Sequence, residues 1–181
     1  RHVMCGIAGL LNWKSPVEQP TLYAMLERLQ HRGPDGQGVW AEGPIGLAHS
    51  RLSIIDLAGG HQPMTNEDGA IQVVFNGEIF NHIELRAELE TQGHQFRTRS
   101  DTEVIVHLYE QVGERFVDHL NGQFAIALWD GRLQRLILAR DRTGIRPLFF
   151  NWTDGEQCVK PVQNGLKVSS CILKLWRNYS N

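Results

Sequence analysis

The sequence predicts an α/β or α+β layered fold, on three observations. Short β-prone runs alternate in part with helical stripes of apolar residues. Two apolar runs meet across Asp130-Gly131, a hairpin signal that argues against a purely parallel sheet. The length of 181 residues, with 41% hydrophobic and 21% charged, suits one domain with a sizeable core.

Taken in order, Gly6–Asn12 is a short apolar run that reads as a buried strand. From Thr21 the pattern turns helical, with Leu22, Met25, Leu26 and Leu29 on one face. His31-Arg32-Gly33-Pro34-Asp35-Gly36 breaks it with turn formers. Ile45–His49 and Ser53–Ile55 read as strands, followed by a Gly-rich polar loop; Ile71–Phe75 is a β-prone run whose end is marked by Asn76-Gly77, a turn signal. Asn81 is placed to cap a helix carrying Ile83, Leu85 and Leu89, closed by Gly93. Ser100-Asp101-Thr102-Glu103 has the form of a capping box, Ser100 at the cap and Glu103 three residues on. The helix it opens carries Val104, Ile105, Leu108 and Val112 and stops at Gly113. Gln123–Trp129 and Leu136–Ala139 are the hairpin strands, and Leu148–Phe150 a last short one.

Composition excludes several classes of function. A net charge of −2 without a basic stripe argues against nucleic acid, and no apolar stretch approaches the roughly 20 residues of a membrane span. The start lacks the pattern of a signal peptide. Cys5, Cys158 and Cys171 fit neither a disulfide framework nor a zinc knuckle, so the expected setting is cytoplasmic and reduced. Neither phosphate-binding glycine pattern occurs, nor a nucleophile elbow. The eight histidines are scattered, with no His/carboxylate cluster at ligand spacing, and no metal is expected.

Four polar features remain. Cys5, directly after Met4, becomes a first residue if the chain is trimmed there. Its α-amine, with a pKa of about 7.7–8.0, then serves as base to its own thiol. The same residue fits equally well as a buried strand cysteine. Arg51 lies in an apolar run, where a guanidinium calls for a carboxylate, although a strand-end surface arginine has the same signature. Asn76-Gly77-Glu78 offers a side-chain amide, an accessible backbone N–H and a carboxylate, the elements of an oxyanion hole, or else a plain turn. Asp101 stands at a helix start, where the dipole alone explains a carboxylate. Together these groups describe a site for a free α-amino acid with a reactive side-chain carbonyl, and glutamine fits.

Six motifs then carry a resemblance. They are Met4-Cys5-Gly6-Ile7, His31-Arg32-Gly33-Pro34-Asp35, Arg51-Leu52-Ser53-Ile54, Asn76-Gly77-Glu78-Ile79-Phe80-Asn81, Ser100-Asp101-Thr102-Glu103 and Asp141-Arg142-Thr143-Gly144-Ile145-Arg146-Pro147-Leu148. In this order and spacing the chain resembles the N-terminal glutaminase domain of asparagine synthetases, class II glutamine amidotransferases of the N-terminal-nucleophile type. The resemblance implies a four-layer αββα sandwich of two mostly antiparallel sheets. It implies Cys5 as nucleophile, Asn76 and the Gly77 N–H as oxyanion donors, and Arg51 for the glutamine α-carboxylate. Leu52, Ser53, Ile54 and Ile55 would line that wall, and Glu78 and Asp101 would hold the α-ammonium. No cofactor is implied for this domain. ATP and magnesium belong to a C-terminal synthetase domain, which accepts the ammonia and amidates aspartate. That domain's Ser-Gly-Gly-x-Asp-Ser loop does not occur in this sequence.

The resemblance divides the chain into residues 1–4, a leader or unprocessed start; 5–157, the glutaminase domain; and 158–181, an unrelated tail. That tail carries none of the 20 acidic residues but four basic ones, Lys160, Lys167, Lys174 and Arg177. Such an abrupt change is expected of a shifted reading frame or foreign junction, and of a segment that does not belong to the fold and is disordered or poorly packed. While Met4 remains attached, the Cys5 nitrogen is an amide and no base. The expected function is therefore glutamine hydrolysis, feeding aspartate amidation in an intact protein. Two alternatives stay open: the same glutaminase with another acceptor, and an inactive fragment that at most binds glutamine or a partner. A homodimer is left open.

Overall fold

The computed structural model describes residues 4–52, 59–153, 156–159 and 173–175. In chain order the elements are β1 (Gly6–Asn12), α1 (Gln19–Glu27), β2 (Gly36–Glu42), β3 (Ile45–Arg51), β4 (Met64–Thr65), β5 (Ile71–Ile79), α2 (His82–Thr91), α3 (Glu103–Val112), α4 (Phe116–His119), β6 (Gly122–Asp130), β7 (Arg135–Arg140), β8 (Phe150–Thr153), β9 (Glu156–Val159) and β10 (Leu173–Leu175). They build two five-stranded sheets, ordered β2-β3-β1-β9-β8 and β10-β7-β6-β5-β4. Every pairing among the described strands is antiparallel.

Three apolar cores separate four layers. Ala8 and Ala48 face Leu22 and Leu26 of α1, and Val17 and Leu29 on either side of that helix close the first core. Ile7, Leu11, Ile45 and Leu47 meet Val74, Ala125, Ala127, Leu136 and Leu138 between the sheets. On the far side Val73, Phe75, Ile79, Ile126 and Leu128 pack against Leu85, Leu89, Val104, Ile105, Leu108 and Phe116 of the other helices. The layering follows from the strand period of two, because β1, β3, β5, β6 and β7 have apolar residues on both faces and both must be covered. Each fully buried Leu, Ile or Phe contributes roughly 1.5–3 kcal/mol. The four-layer αββα sandwich expected from the sequence is the fold observed.

Most elements lie where the pattern puts them, and the exceptions are instructive. Asn76-Gly77 is no turn: β5 runs through it, with Asn76 opposite Ala125 and Gly77 opposite Phe124 of β6. A Cβ on Gly77 would stand 2.0 Å from the Gln123 carbonyl oxygen, so glycine is required there by close approach of a neighbouring strand rather than by turn geometry. β2 carried no strand signal, being an edge strand of half-buried and exposed residues. Asn81 precedes α2 but does not cap it. Its amide instead donates to the His119 carbonyl and accepts the Asn121 N–H. Ile83, expected on the buried face, is 68% exposed.

The capping box forms by half. Ser100 Oγ accepts the Thr102 N–H at 3.2 Å, but Glu103 turns away and accepts the Arg97 and Thr98 N–H groups, each at 2.7 Å. Gly113, at φ +63°, ends α3 as expected. Of the tail expected to lie outside the fold, Cys158–Val159 complete β9 beside β1, and Leu173–Leu175 pair with β7. The rest of 158–181 lies outside the described residues, as do residues 1–3 of the expected leader.

Candidate active site

The two sheets meet at one end in a cleft of about 560 Å³, counted out to solvent. It is lined by Cys5, His49, Arg51, Leu52, Gly60, Gln62, Phe75, Gly77, Glu78, Ser100, Asp101, Thr102 and Arg146. The strand period accounts for its chemistry. Ile45 and Leu47 face the inter-sheet core, so His49 and Arg51, two and four positions on, reach the same face at the open end of β3. On the opposing sheet Val74 faces the same core, so Asn76 and Glu78 follow it on β5.

Cys5 precedes β1 and is partly buried. Its Sγ accepts the Leu52 N–H at 3.3 Å and lies 3.5 Å from the Leu52 carbonyl oxygen, toward which the S–H points. Burial pushes the thiol pKa up, and the Leu52 N–H and the Arg51 charge only partly oppose it. The thiol is therefore protonated at neutral pH and needs a base. The His31–Gly36 turn braces this region. Arg32 Nε donates to the Cys5 carbonyl at 3.3 Å, Ser50 Oγ to the Gly33 carbonyl at 2.8 Å, and the Asp35 N–H to the Arg51 carbonyl at 3.0 Å.

Asp101 is buried two residues ahead of α3, and its Oδ2 accepts the Ile79 N–H at 3.0 Å. Burial pushes its pKa up, with Glu78 adding to the effect against the Ile79 N–H and His82. Asp101 thus stands at the helix start as expected, with a β5 N–H as a partner that the sequence did not announce. Gln62 ties the floor together: its Oε1 accepts the Phe75 N–H at 2.6 Å and its Nε2 donates to Thr102 Oγ1 at 3.2 Å. Arg146 is brought in by the Asp141 loop. Asp141 Oδ2 accepts the N–H groups of Arg146 (3.0 Å) and Phe124 (3.2 Å), while Oδ1 accepts Ile145 N–H and Thr143 Oγ1.

Of the residues singled out from sequence, Cys5, Arg51, Leu52, Gly77, Glu78 and Asp101 line the one cleft. Asn76 is buried beside it on β5 and does not line the wall. Ser53, Ile54 and Ile55 lie outside the described residues. Sequence reasoning missed His49, Gln62 and Arg146. His49 had a usable signal, two residues before Arg51 on the same strand face, and Arg146 stood in the last of the six motifs without a role assigned to it. His49 is 1% exposed and its Nε2 has no hydrogen-bond partner. Burial and the nearby Arg51 charge lower its pKa to about 3, so its ring is neutral at pH 7.

A thiol, a buried guanidinium, two carboxylates and backbone N–H groups thus converge at one end of an αββα sandwich. Residues 4–176 match the family described as glutamine amidotransferase domain. The chain is 47% identical over 151 residues to asparagine synthetase [glutamine-hydrolyzing] 2 of Bacillus subtilis (strain 168), covering 81% of this chain and 20% of that protein. It is 48% identical over 151 residues to asparagine synthetase [glutamine-hydrolyzing] 3 of Arabidopsis thaliana, covering 82% and 26%. With the Asparagus officinalis enzyme the identity is 46% over 166 residues, covering 90% and 28%. The chain thus spans between a fifth and a third of the length of these relatives. Among solved structures it resembles the allosteric regulatory enzyme of purine biosynthesis, with a TM-score of 0.71 at 24% identity over 86% of this chain and 41% of that one. It also resembles the B. subtilis glutamine phosphoribosylpyrophosphate amidotransferase complexed with ADP and GMP, with a TM-score of 0.69, 24% identity and the same coverage of both chains. At that identity the two structures share the fold. Among the described residues no helix is long and apolar enough to cross a membrane.

Proposed function

The chain belongs to the glutamine amidotransferase domain family, and from that premise we propose that its cleft hydrolyses the side-chain amide of glutamine with Cys5 as nucleophile. The observation that carries this reading is the meeting of Cys5, Arg51, Glu78 and Asp101 around one cleft between the sheets. Arg51 pairs with the substrate α-carboxylate, for which its planar fork is suited. Glu78 and Asp101 take the α-ammonium. The side-chain carbonyl is then left facing the thiol at the mouth of β1.

The reaction runs in two halves. The free α-amine of Cys5 takes the thiol proton as sulfur attacks the amide carbon, and the oxyanion forms against the Gly77 N–H, with the Asn76 amide, buried beside the cleft, turning toward it as the second donor. The C–N bond breaks, the amine returns its proton to the leaving nitrogen, and ammonia departs. Water, deprotonated by the same amine, cleaves the thioester to glutamate and regenerates the thiol. The raised thiol pKa makes that internal base necessary. The mechanism therefore requires removal of residues 1–4, and a reduced, cytoplasmic setting suits it. The ammonia amidates aspartate to asparagine in a longer protein like the relatives, and ATP and magnesium enter only with that acceptor chemistry.

The test is glutamate release from glutamine by the chain with its N-terminus read by intact mass. Activity is expected from the form that begins at Cys5 and is lost in Cys5→Ser and Cys5→Ala. Full activity in either variant would sink the mechanism.

A further inference from the structure

On the outer face of the second sheet, away from the cleft, three segments distant in sequence bring Glu67, His94, His107 and Glu110 together. Each offers one ligand atom, and the four atoms lie within 4.8 Å of one another. Glu67 comes from the turn between β4 and β5, His94 from the loop after α2, and His107 and Glu110 from adjacent turns of α3. Both imidazoles present the same atom. His107 Nδ1 is 3.3 Å from Glu67 Oε2 and 3.8 Å from Glu110 Oε2. His94 Nδ1 is 3.7 Å from Glu67 Oε1 and 4.0 Å from Glu110 Oε2. Ligands at tetrahedral angles around a zinc ion, 2.0–2.1 Å from it, stand about 3.3 Å apart. The separations here, up to 4.8 Å, close to that spacing by side-chain adjustment on an ion.

A second, independent observation points to a ligand. His107 is 1% exposed, and neither ring nitrogen makes a hydrogen bond. The remaining polar atoms are arranged as outer partners of a metal site are. His94 Nε2 meets Gln111 Oε1 at 3.4 Å, which with Nε2 as the donor leaves its Nδ1 lone pair for the cluster, and His107 Nε2 lies 3.7 Å from Glu103 Oε1. Glu110 Oε1 is taken by Asn66 Nδ2 (2.8 Å) and Arg132 (3.2 Å), and Glu67 Oε1 by the Gln95 N–H (3.2 Å). Phe96 packs edge-on to the His107 ring at 4.5 Å, fixing its orientation. Imidazole nitrogens that face carboxylates need a positive centre between them, either a proton on nitrogen or a bound cation.

We propose that Glu67, His94, His107 and Glu110 form a structural site for a divalent transition-metal ion, zinc by ligand type. Four protein ligands leave no open position for catalysis. The ion staples the 93–98 loop to α3 and to the β4–β5 turn, next to the segment that carries Asp101. No sequence motif announces it, because the ligands span four tens of residues and three elements.

The test uses the full chain, stripped with chelator and titrated with zinc sulfate and separately with cobalt chloride. Elemental analysis gives the stoichiometry, and the visible absorption of tetrahedral cobalt gives the geometry. Expected are one zinc per chain and a loss of affinity of at least about tenfold in both Glu67→Gln and His94→Gln. Circular dichroism verifies that both variants, placed outside the apolar core, remain folded. A folded wild-type chain that takes up no stoichiometric zinc would show that the cluster is only imidazolium–carboxylate pairs and overturn the proposal. So would zinc binding unchanged in both variants.

Discussion

The Leu52 N–H donates to Cys5 Sγ at 3.3 Å, joining the residue before β1 to the residue after β3 across two adjacent strands. This contact and the Arg51 charge favour the thiolate, yet burial outweighs them and the thiol titrates above its ordinary value. In the chain that retains Met4, alkylation by iodoacetamide is therefore expected to level off at a higher pH than for a cysteine peptide. Arg51→Gln, which removes a favourable charge, moves the profile higher still. A thiol already fully reactive at pH 7 would contradict this account.

Arg51 tests the substrate assignment. Lysine keeps the charge but loses the planar fork, and hydrogen bonds to charged groups contribute about 1.5–3 kcal/mol. Arg51→Lys is expected to raise KM for glutamine by about ten- to a hundredfold with a smaller change in kcat. Steady-state glutamate release checks it. An unchanged KM would place the α-carboxylate elsewhere.

Much of this site was legible because it rests on strand ends and short motifs. Cys5, Arg51 and Glu78 sit on or beside β1, β3 and β5, whose apolar runs were plain in the sequence, and the period of two aims them inward. What stayed hidden depends on contacts between distant segments. Asn76-Gly77 read as a turn because its glycine answers to the β6 backbone, which local pattern does not contain. Glu103 read as a cap partner because nothing local announces the Arg97 and Thr98 N–H groups it prefers. Gln62 and Arg146 lie in loops without periodicity, and only tertiary packing brings them to the cleft.

Gly77→Ala follows from the same close approach. The added Cβ would meet the Gln123 carbonyl oxygen at 2.0 Å and the Phe124 Cα at 2.8 Å, both backbone atoms of a central strand. The strands must part, at a cost of about 3 kcal/mol, and with them the oxyanion donor shifts. Gly43→Ala provides the comparison: at φ +55° with nothing within 4 Å, it costs only about 1 kcal/mol through backbone strain. Urea denaturation of the two variants is expected to separate them clearly, and equal midpoints would refute the steric argument.

His49 sets a pH dependence whose sign can be worked through. Its pKa is about 3 in the folded chain, because burial and the Arg51 charge disfavour the imidazolium, against about 6.5 when unfolded. Between those values the unfolded chain binds more protons, so stability falls as pH falls from about 6.5 toward 3. From pH 7 to pH 4 this amounts to about 3 kcal/mol, at 1.36 kcal/mol per unit. Asp101 works the other way, since its raised pKa makes the folded chain the better proton acceptor just above the ordinary carboxylate range. The informative quantity is therefore the difference between wild type and His49→Gln, measured by denaturation at each pH. The variant cannot charge at this position, so its stability relative to wild type is expected to improve steadily from pH 6.5 to pH 4 and to be constant above pH 7. Parallel profiles would mean that the ring beside Arg51 is already hydrated or paired, and the neutral-histidine reading of the cleft would fall with them.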